Sequence, residues 1–313
     1  MLPRRPDGKL SSMQPERKAI AKVIIGYDGR ARSDDALVLG RVLGEALGAE
    51  LVVAAAVGFE PARIGVSNYN EARAAFFKDV FERAESVLGG IGYERFRIQD
   101  TPAHGLHMLA EETEAAALVV GSTHQGPVGR VYPGSVADRL MHGAPCPVAI
   151  APVGYAERDG GIHRISVGVD GRAPSTLALR FAIDLVRRVS GTLTLLRVGP
   201  DMHWGTMGVP PVDEIDAANR KALKAMLAEV PDDLDAESHY CVGDPASELV
   251  RHSAEEDLLV LGSRGYGPVR SVLLGSVSSF VVRNAATPVV VMPRGVESAD
   301  PAGEAPLPAS ASA

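Results

Sequence analysis

Along the chain, short apolar runs alternate with longer segments whose apolar positions return every three to four residues. In the first half the runs are Ala21–Gly26, Leu51–Val57, Arg95–Gln99, Ala117–Gly121 and Pro147–Ala151. Most are continuous Val, Ile, Leu and Ala, the pattern of strands buried on both faces. Between them, Glu71–Leu88 repeats apolar residues at helical spacing through Ala75, Phe76, Val80, Ala84 and Val87. Ser33 is placed to cap a helix running to Gly48, with Asp34 and Asp35 favourable in its first turn. Leu106–Ala115 and Val136–His142 complete the helices of this half. The second half repeats the order. Its strands are Ile165–Val169, Thr192–Val198, Glu237–Val242, Leu258–Gly262 and Val289–Met292, and its helices are Thr176–Val189, Asp213–Glu229, Ser247–Glu256 and Val277–Asn284.

Strands alternating with helices imply right-handed βαβ crossovers and a mostly parallel, doubly wound sheet, five strands per half. Ligands of such sheets sit beyond the carboxyl ends of the strands, where strand order reverses. The two halves are copies. Gly26-Tyr-Asp-Gly-Arg-Ala31 reappears as Gly168-Val-Asp-Gly-Arg-Ala173. Gly121-Ser122 and Gly134-Ser135 reappear as Gly262-Ser263 and Gly275-Ser276, and Ala144-Pro-Cys-Pro-Val148 parallels Ala286-Thr-Pro-Val289. The organisation read from this is a tail (1–18), a first domain (19–153), a Gly- and charge-rich linker (154–162), a second domain (163–295) and a second tail (296–313). The tails are too polar and too rich in Pro, Gly, Ser and Ala to order themselves.

Composition narrows the class. The 313 residues are 46% hydrophobic but only 5% aromatic, so the cores must be aliphatic. A net charge of −7 without a long basic run lacks the footprint of a nucleic-acid binder. No apolar stretch approaches the ~20 residues needed to span a bilayer, and the N-terminus lacks the apolar core of a signal peptide. Cys146 and Cys241 fall in different halves without a C-x-x-C companion, which points to no metal site and to a reducing cytoplasm.

The chemistry concentrates in Gly262-Ser-Arg-Gly265-Tyr-Gly267-Pro-Val-Arg270-Ser-Val-Leu-Leu-Gly275-Ser276-Val-Ser278. A buried strand delivers the chain to Gly262 and a helix begins near Ser276. Glycines allow close backbone approach to a ligand. The first amides of the helix lack internal partners and, with the helix dipole, favour an anion. Ser276 and Ser278 add hydroxyl donors, and Arg264 and Arg270 add charge. The loop is no P-loop, since no lysine adjoins Gly275. Nor is it a Rossmann fingerprint, since its third glycine is missing and it comes late in its copy.

With these residues in place, the chain resembles the universal stress proteins in their tandem form. The family's G-x2-G-x9-G-[ST] motif is matched by Gly262, Gly265, Gly275 and Ser276, and the resemblance extends to Asp28, Asp170 and Gly243-Asp-Pro-Ala246. It implies an adenine nucleotide alpha hydrolase-like fold in each half, and an ATP site in the second. There, Gly168 and Asp170 would line the adenosine end and Val198 would pack on adenine. Gly262, Ser263, Arg264, Gly265 and Gly267 would wrap ribose and phosphates. Gly275, Ser276, Val277 and Ser278 would cap the phosphates, with Mg²⁺ bridging them. Asp170 also suits an Asx turn, a role compatible with binding.

The first copy keeps Gly26, Asp28, Gly121, Ser122, Gly134 and Ser135 as a weaker site. His124 replaces its second motif glycine, Ala137 stands for Ser278, and Asp138 brings a carboxylate close to the anion position. Other residues read as structural: His104, His107 and Glu111 as surface groups, Trp204 as a loop anchor, and Glu255–Asp257 as a solvated helix end.

Three functions are compatible with the sequence. The first is a regulatory protein whose ATP occupancy sets conformation or association. The second is a slow ATPase, disfavoured because no catalytic base or Walker lysine adjoins the motif. The third is a scaffold without nucleotide. By the resemblance, single-domain members pair through their last strands, so the two copies should form an intramolecular pseudo-dimer. Further homodimerisation and a regulatory protein partner are left open.

Overall fold

The computed structural model describes residues 20–57, 66–122, 133–158, 161–200, 212–263 and 275–293, with backbone alone at 66–69 and 212. In the first copy, β1 (Lys22–Gly26) leads to α1 (Asp34–Leu47), β2 (Glu50–Ala56) to α2 (Val66–Leu88), β3 (Tyr93–Ile98) to α3 (Pro102–Glu112), and β4 (Ala117–Gly121) to α4 (Ser135–Met141) and β5 (Val148–Ala151). The second copy repeats this with β6 (Arg164–Gly168), α5 (Ala173–Val189), β7 (Thr192–Gly199), α6 (Val212–Leu227), β8 (Asp235–Val242), α7 (Pro245–Ser253), β9 (Leu258–Gly262), α8 (Ser276–Asn284) and β10 (Val289–Met292).

The strands form one ten-stranded sheet in the order β3-β2-β1-β4-β5-β10-β9-β6-β7-β8. Every pairing is parallel except β5 with β10, which run antiparallel and join the copies through Val148–Val291, Ala149–Val290 and Ile150–Val289. The expected pseudo-dimer is therefore a continuous sheet. Strand order reverses between β1 and β4, and between β6 and β9, which puts a topological switch point in each copy. Two aliphatic cores cover the faces. One lies under α1, α2, α5 and α6, the other under α3, α4, α7 and α8, and each contains buried residues of both copies.

Helix starts depart from the periodicity. α3, α5 and α7 begin four, three and two residues earlier than the spacing predicts, because each opens with proline in its first turn. Proline suits that position, where its missing N–H is not needed. α7 is capped by Asp244, which accepts from the Ser247 amide at 2.8 Å. Ser33 does not cap α1. It sits in the helical region after a 3-10 turn, and its hydroxyl lies 2.6 Å from the Asp28 carboxylate instead.

The acidic pair stands in the first turn of α1 as expected, and it is buried there with further partners. Asp34 takes the Tyr27 hydroxyl at 2.7 Å and the Arg83 guanidinium from α2. Asp35 accepts from the Gly154 amide at 2.9 Å and the Ala156 amide at 2.7 Å. Burial pushes its carboxyl above the ordinary value, against the pull of those two amides. The stretch read as a linker is thus docked, with Val153, Tyr155 and Ile162 buried. Its far end is held by Asp257, which accepts from the His163 and Arg164 amides at 3.0 and 2.8 Å and pairs with the Arg164 side chain. The expected solvated helix end at Glu255–Asp257 is therefore corrected: Asp257 fastens the entry to β6.

Replacing Asp35 by alanine leaves two backbone donors without their acceptor. The expected loss is about 1–3 kcal/mol of unfolding free energy, read from the midpoint of urea unfolding at constant slope. An unchanged midpoint would show that the docked linker contributes nothing.

Candidate functional site

In the first copy, β1 and β4 end side by side at Gly26 and Gly121, and the space beyond them is a cleft of about 370 Å³. That lies within the ~300–1,000 Å³ common for small-molecule sites. All six positions assigned from the sequence, Gly26, Asp28, Gly121, Ser122, Gly134 and Ser135, line it. Its apolar wall is Ala54 and Ala56 from β2, Ile98 from β3, and Pro102 and Leu106 from α3. Gly26 is small for a reason, since a Cβ there would stand 2.9 Å from Leu106 Cδ1. The cleft mouth thus combines an apolar slot with a polar floor, the division of labour expected for a flat heterocycle carrying a polar tail.

Asp28 and Asp170 shape equivalent turns. Each carboxylate accepts from the amide two residues on, Arg30 or Arg172, at 3.0 Å. The Asx-turn role is therefore real in both copies. Tyr27 borders the first cleft and ties it to Asp34, whose buried carboxylate pairs with the half-exposed Arg83. Burial, then Asp34, push the Tyr27 phenol well above its usual range, so it remains a neutral donor.

In the second copy Gly168, Asp170, Val198, Gly262, Ser263, Gly275, Ser276, Val277 and Ser278 fall within the described residues, whereas Arg264, Gly265 and Gly267 fall outside them. Gly168 pairs with Leu196 as Gly26 pairs with Ala54. Two residues on, Val198 therefore occupies the place of Ala56 on the cleft wall. Gly262 ends β9 against the first turn of α5, where a Cβ would lie 2.5 Å from the carbonyl carbon and oxygen of Pro174. Gly275 precedes α8 in extended conformation, φ −60° and ψ 153°, with no side-chain cap. Helix geometry leaves the amides of Ser276, Val277 and Ser278 without intrahelical acceptors.

Ser278 is different from its expected role. It is buried, and its hydroxyl donates to the Gly262 carbonyl at 3.0 Å, closing the two ends of the motif on each other. What it offers a ligand is its backbone amide. The Ser278-to-Ala137 difference therefore removes a brace rather than a phosphate donor. Asp138 is also redirected, since it lies 3.6 Å from Arg283 of α8, across the seam between copies. His124 and Trp204 lie outside the described residues.

Whether these residues suit a nucleotide can be judged from buried donors. Among the described residues, Ser166 Oγ, Arg197 Nη1 and Ser263 Oγ are buried without a protein partner; Ser166 lies within β6, and the other two lie toward the strand ends. Such orphans are rare and call for a ligand, water or ion. Ser263 follows Gly262 directly. Arg197 is held by Asn219 through its other nitrogens, and its Nη1 is 3.6 Å from where a Cβ on Gly171 would stand, in the Asp170 turn. Two polar donors beside the second switch point fit an anionic, hydrogen-bonding ligand.

Sequence reasoning missed Tyr27–Asp34–Arg83, the Asp35 clasp and Arg197–Asn219. The first two had a visible signal, adjacent acidic residues in an otherwise apolar helix face. His104 is exposed beside Asp100 at 3.5 Å, and His107 is half-buried beside Glu111 at 3.9 Å. No helix among the described residues is long and apolar enough to cross a membrane.

The fold defines a tandem α/β protein of the nucleotide-hydrolase-like class, its two copies joined through their last strands. The universal stress protein family model matches it twice, at residues 20–152 and 161–293, and the chain belongs to that family. It is 29% identical over 292 residues to Universal stress protein Rv2005c of Mycobacterium tuberculosis, covering 86% of this chain and 96% of that one. A universal stress protein of Mycolicibacterium smegmatis is 31% identical over 196 residues, 59% of this chain and 64% of its own. In fold it is similar to a universal stress protein from Archaeoglobus fulgidus, with TM-score 0.65 at 19% identity, covering 88% of this chain and 98% of that one.

Proposed function

We propose that this chain is a regulatory adenine-nucleotide-binding protein, with ATP held chiefly in the second copy and nucleotide occupancy setting its conformation or association. The observation that supports this best is convergence. Residues from both ends of a copy, Gly26 and Asp28 with Gly134 and Ser135, meet around one cleft at the switch point. In the second copy Gly168, Gly262 and Gly275 hold the equivalent ends of β6, β9 and the start of α8, and the sequence there carries Arg264 in addition.

In this reading the adenine lies between the cleft wall at Val198 and the Asp170 turn. The phosphates meet the amides of Ser276, Val277 and Ser278, with Arg264, Gly265 and Gly267 closing over them. ATP would supply the charge that these amides recognise, with Mg²⁺ held mainly by the phosphates. The first copy is the weaker site, because His124 stands where the second copy has Gly265. The protein acts in the cytoplasm, and its partner reads the nucleotide state rather than a hydrolysis product.

Gly275→Ala tests the assignment. At φ −60° alanine is tolerated by the backbone, but a methyl intrudes where phosphate would approach. ATP affinity by calorimetry is expected to fall about tenfold or more, roughly 1.4 kcal/mol, with the unfolding temperature unchanged. Unaltered affinity would remove the phosphates from this helix start. Multiple-turnover phosphate release from the wild type is expected to be negligible, and rapid turnover lost in Gly275→Ala would establish an enzyme instead.

A further inference from the structure

Four side chains with metal-ligand chemistry meet between β8 and α7, outside the residues assigned to nucleotide. His239 and Cys241 stand two apart on β8 and so share one face. Glu248 and His252 stand four apart on α7 and share one face of the helix. The fold lays these faces together. One donor atom from each of Cys241, Glu248 and His252 lies within 4.8 Å of the others. The His239 ring packs on His252 with centroids 4.3 Å apart. Neither cysteine has a near companion in the sequence, so this group becomes visible only when strand and helix are superposed.

The sister copy shows that the architecture does not need polar groups here. At the matching positions it has Phe96, Ile98, Gly105 and Leu109. Ile98 fits so closely on α3 that a Cβ at Gly105 would be 2.2 Å from its Cγ2. One copy thus seals this strand–helix crossing with carbon, and the other fills it with a thiol, a carboxylate and two imidazoles.

We propose that Cys241, Glu248 and His252 bind a divalent ion of the zinc class, with His239 positioned to supply a fourth ligand. Thiolate and imidazole together select such ions over magnesium or calcium, which prefer all-oxygen shells. Tetrahedral coordination would draw the donor atoms to about 3.4 Å from one another, a contraction that side-chain rotation of these incompletely buried residues supplies. Arg251 now bonds Glu248 at 2.6 Å and approaches His252 Nε2 at 3.0 Å. As an exposed pair within one helix it is weakly held, and it swings to solvent when the ion enters. The Cys241 thiol binds as thiolate and releases its proton to solvent. Ile98 lines the first cleft, and Cys241 holds the equivalent position on β8, paired with Val198 as Ile98 is with Ala56.

The test is a cobalt(II) titration of the metal-free full-length protein. A thiolate-to-cobalt charge-transfer band should appear, saturate at one ion per chain, and vanish when zinc is added. Cys241→Ser should abolish the band, His252→Gln should weaken cobalt binding by about tenfold or more, and Cys146→Ala should leave both unchanged. Absence of the band in the wild type, or its survival in Cys241→Ser, would overturn the site. Circular dichroism of each variant separates loss of the ligand from loss of the fold.

Discussion

Val290→Pro is expected to cost about 3 kcal/mol or more of stability. Val290 lies in β10, the strand flanked by β5 of the other copy and β9 of its own. Its side chain is buried, and it faces Ala149 across the seam. A strand paired on both sides has no solvent-facing amide at which proline can be accommodated. The same substitution would unfasten the copies as well as weaken the second. Urea unfolding should therefore lose cooperativity, with one copy melting before the other. A single transition at the wild-type midpoint would mean that the seam does not join the two halves.

The second large effect concerns the first glycine of the motif. Gly262→Ala is expected to destabilise by about 1–3 kcal/mol, the cost of overpacking. The added carbon meets backbone of Pro174 at 2.5 Å, and backbone cannot rotate away as a side chain can. Gly121→Ala, at the equivalent place in the first copy, comes no closer than 3.3 Å, to the Arg32 carbonyl oxygen, with Ser33 Cα and Ala36 Cβ at ordinary contact distance. It should stay within about 1 kcal/mol of wild type, helped by the lower entropy of its unfolded chain. Thermal unfolding of the two variants side by side checks the order. Equal effects would mean that the motif glycine is not set by strand–helix packing.

Gly262 also shows how far the sequence is legible. That it is glycine, and that it ends a buried strand, could be read directly. β9 and β10 have the limits that hydrophobicity predicts, because buried parallel strands are dense in β-branched and aliphatic residues. Helix starts were harder. Pro102, Pro174 and Pro245 open their helices with residues that carry no apolar period, so the spacing finds each helix late. Long-range pairings were hidden altogether. Asp35 reaches the amides of 154 and 156, and Asp257 reaches those of 163 and 164, so a linker that looks solvated is clasped at both ends. The convergence of Gly26, Asp28, Gly134 and Ser135 was legible because the doubly wound topology sends every strand end to one side. The commitment of the Ser278 hydroxyl to Gly262 was not, because a serine after a helix start reads alike whether it faces a ligand or its own loop.

The asymmetry between copies looks different once these contacts are known. Ala137 and Asp138 had seemed to spoil the first anion site. One replaces a brace, and the other pairs with Arg283 across the seam. The remaining sequence differences in the loop include His124 in place of Gly265, and Thr123 and Gly129 in place of Arg264 and Arg270. The first cleft, lined by every residue expected of it, then belongs in the same account as the second.

ATP titration of the purified chain by calorimetry is the most direct measurement. Nucleotide-stripped wild type is expected to bind ATP at micromolar concentration in the second copy, with a weaker second event that disappears in Gly134→Ala. No heat of binding to the stripped, folded protein up to millimolar ATP would contradict the account.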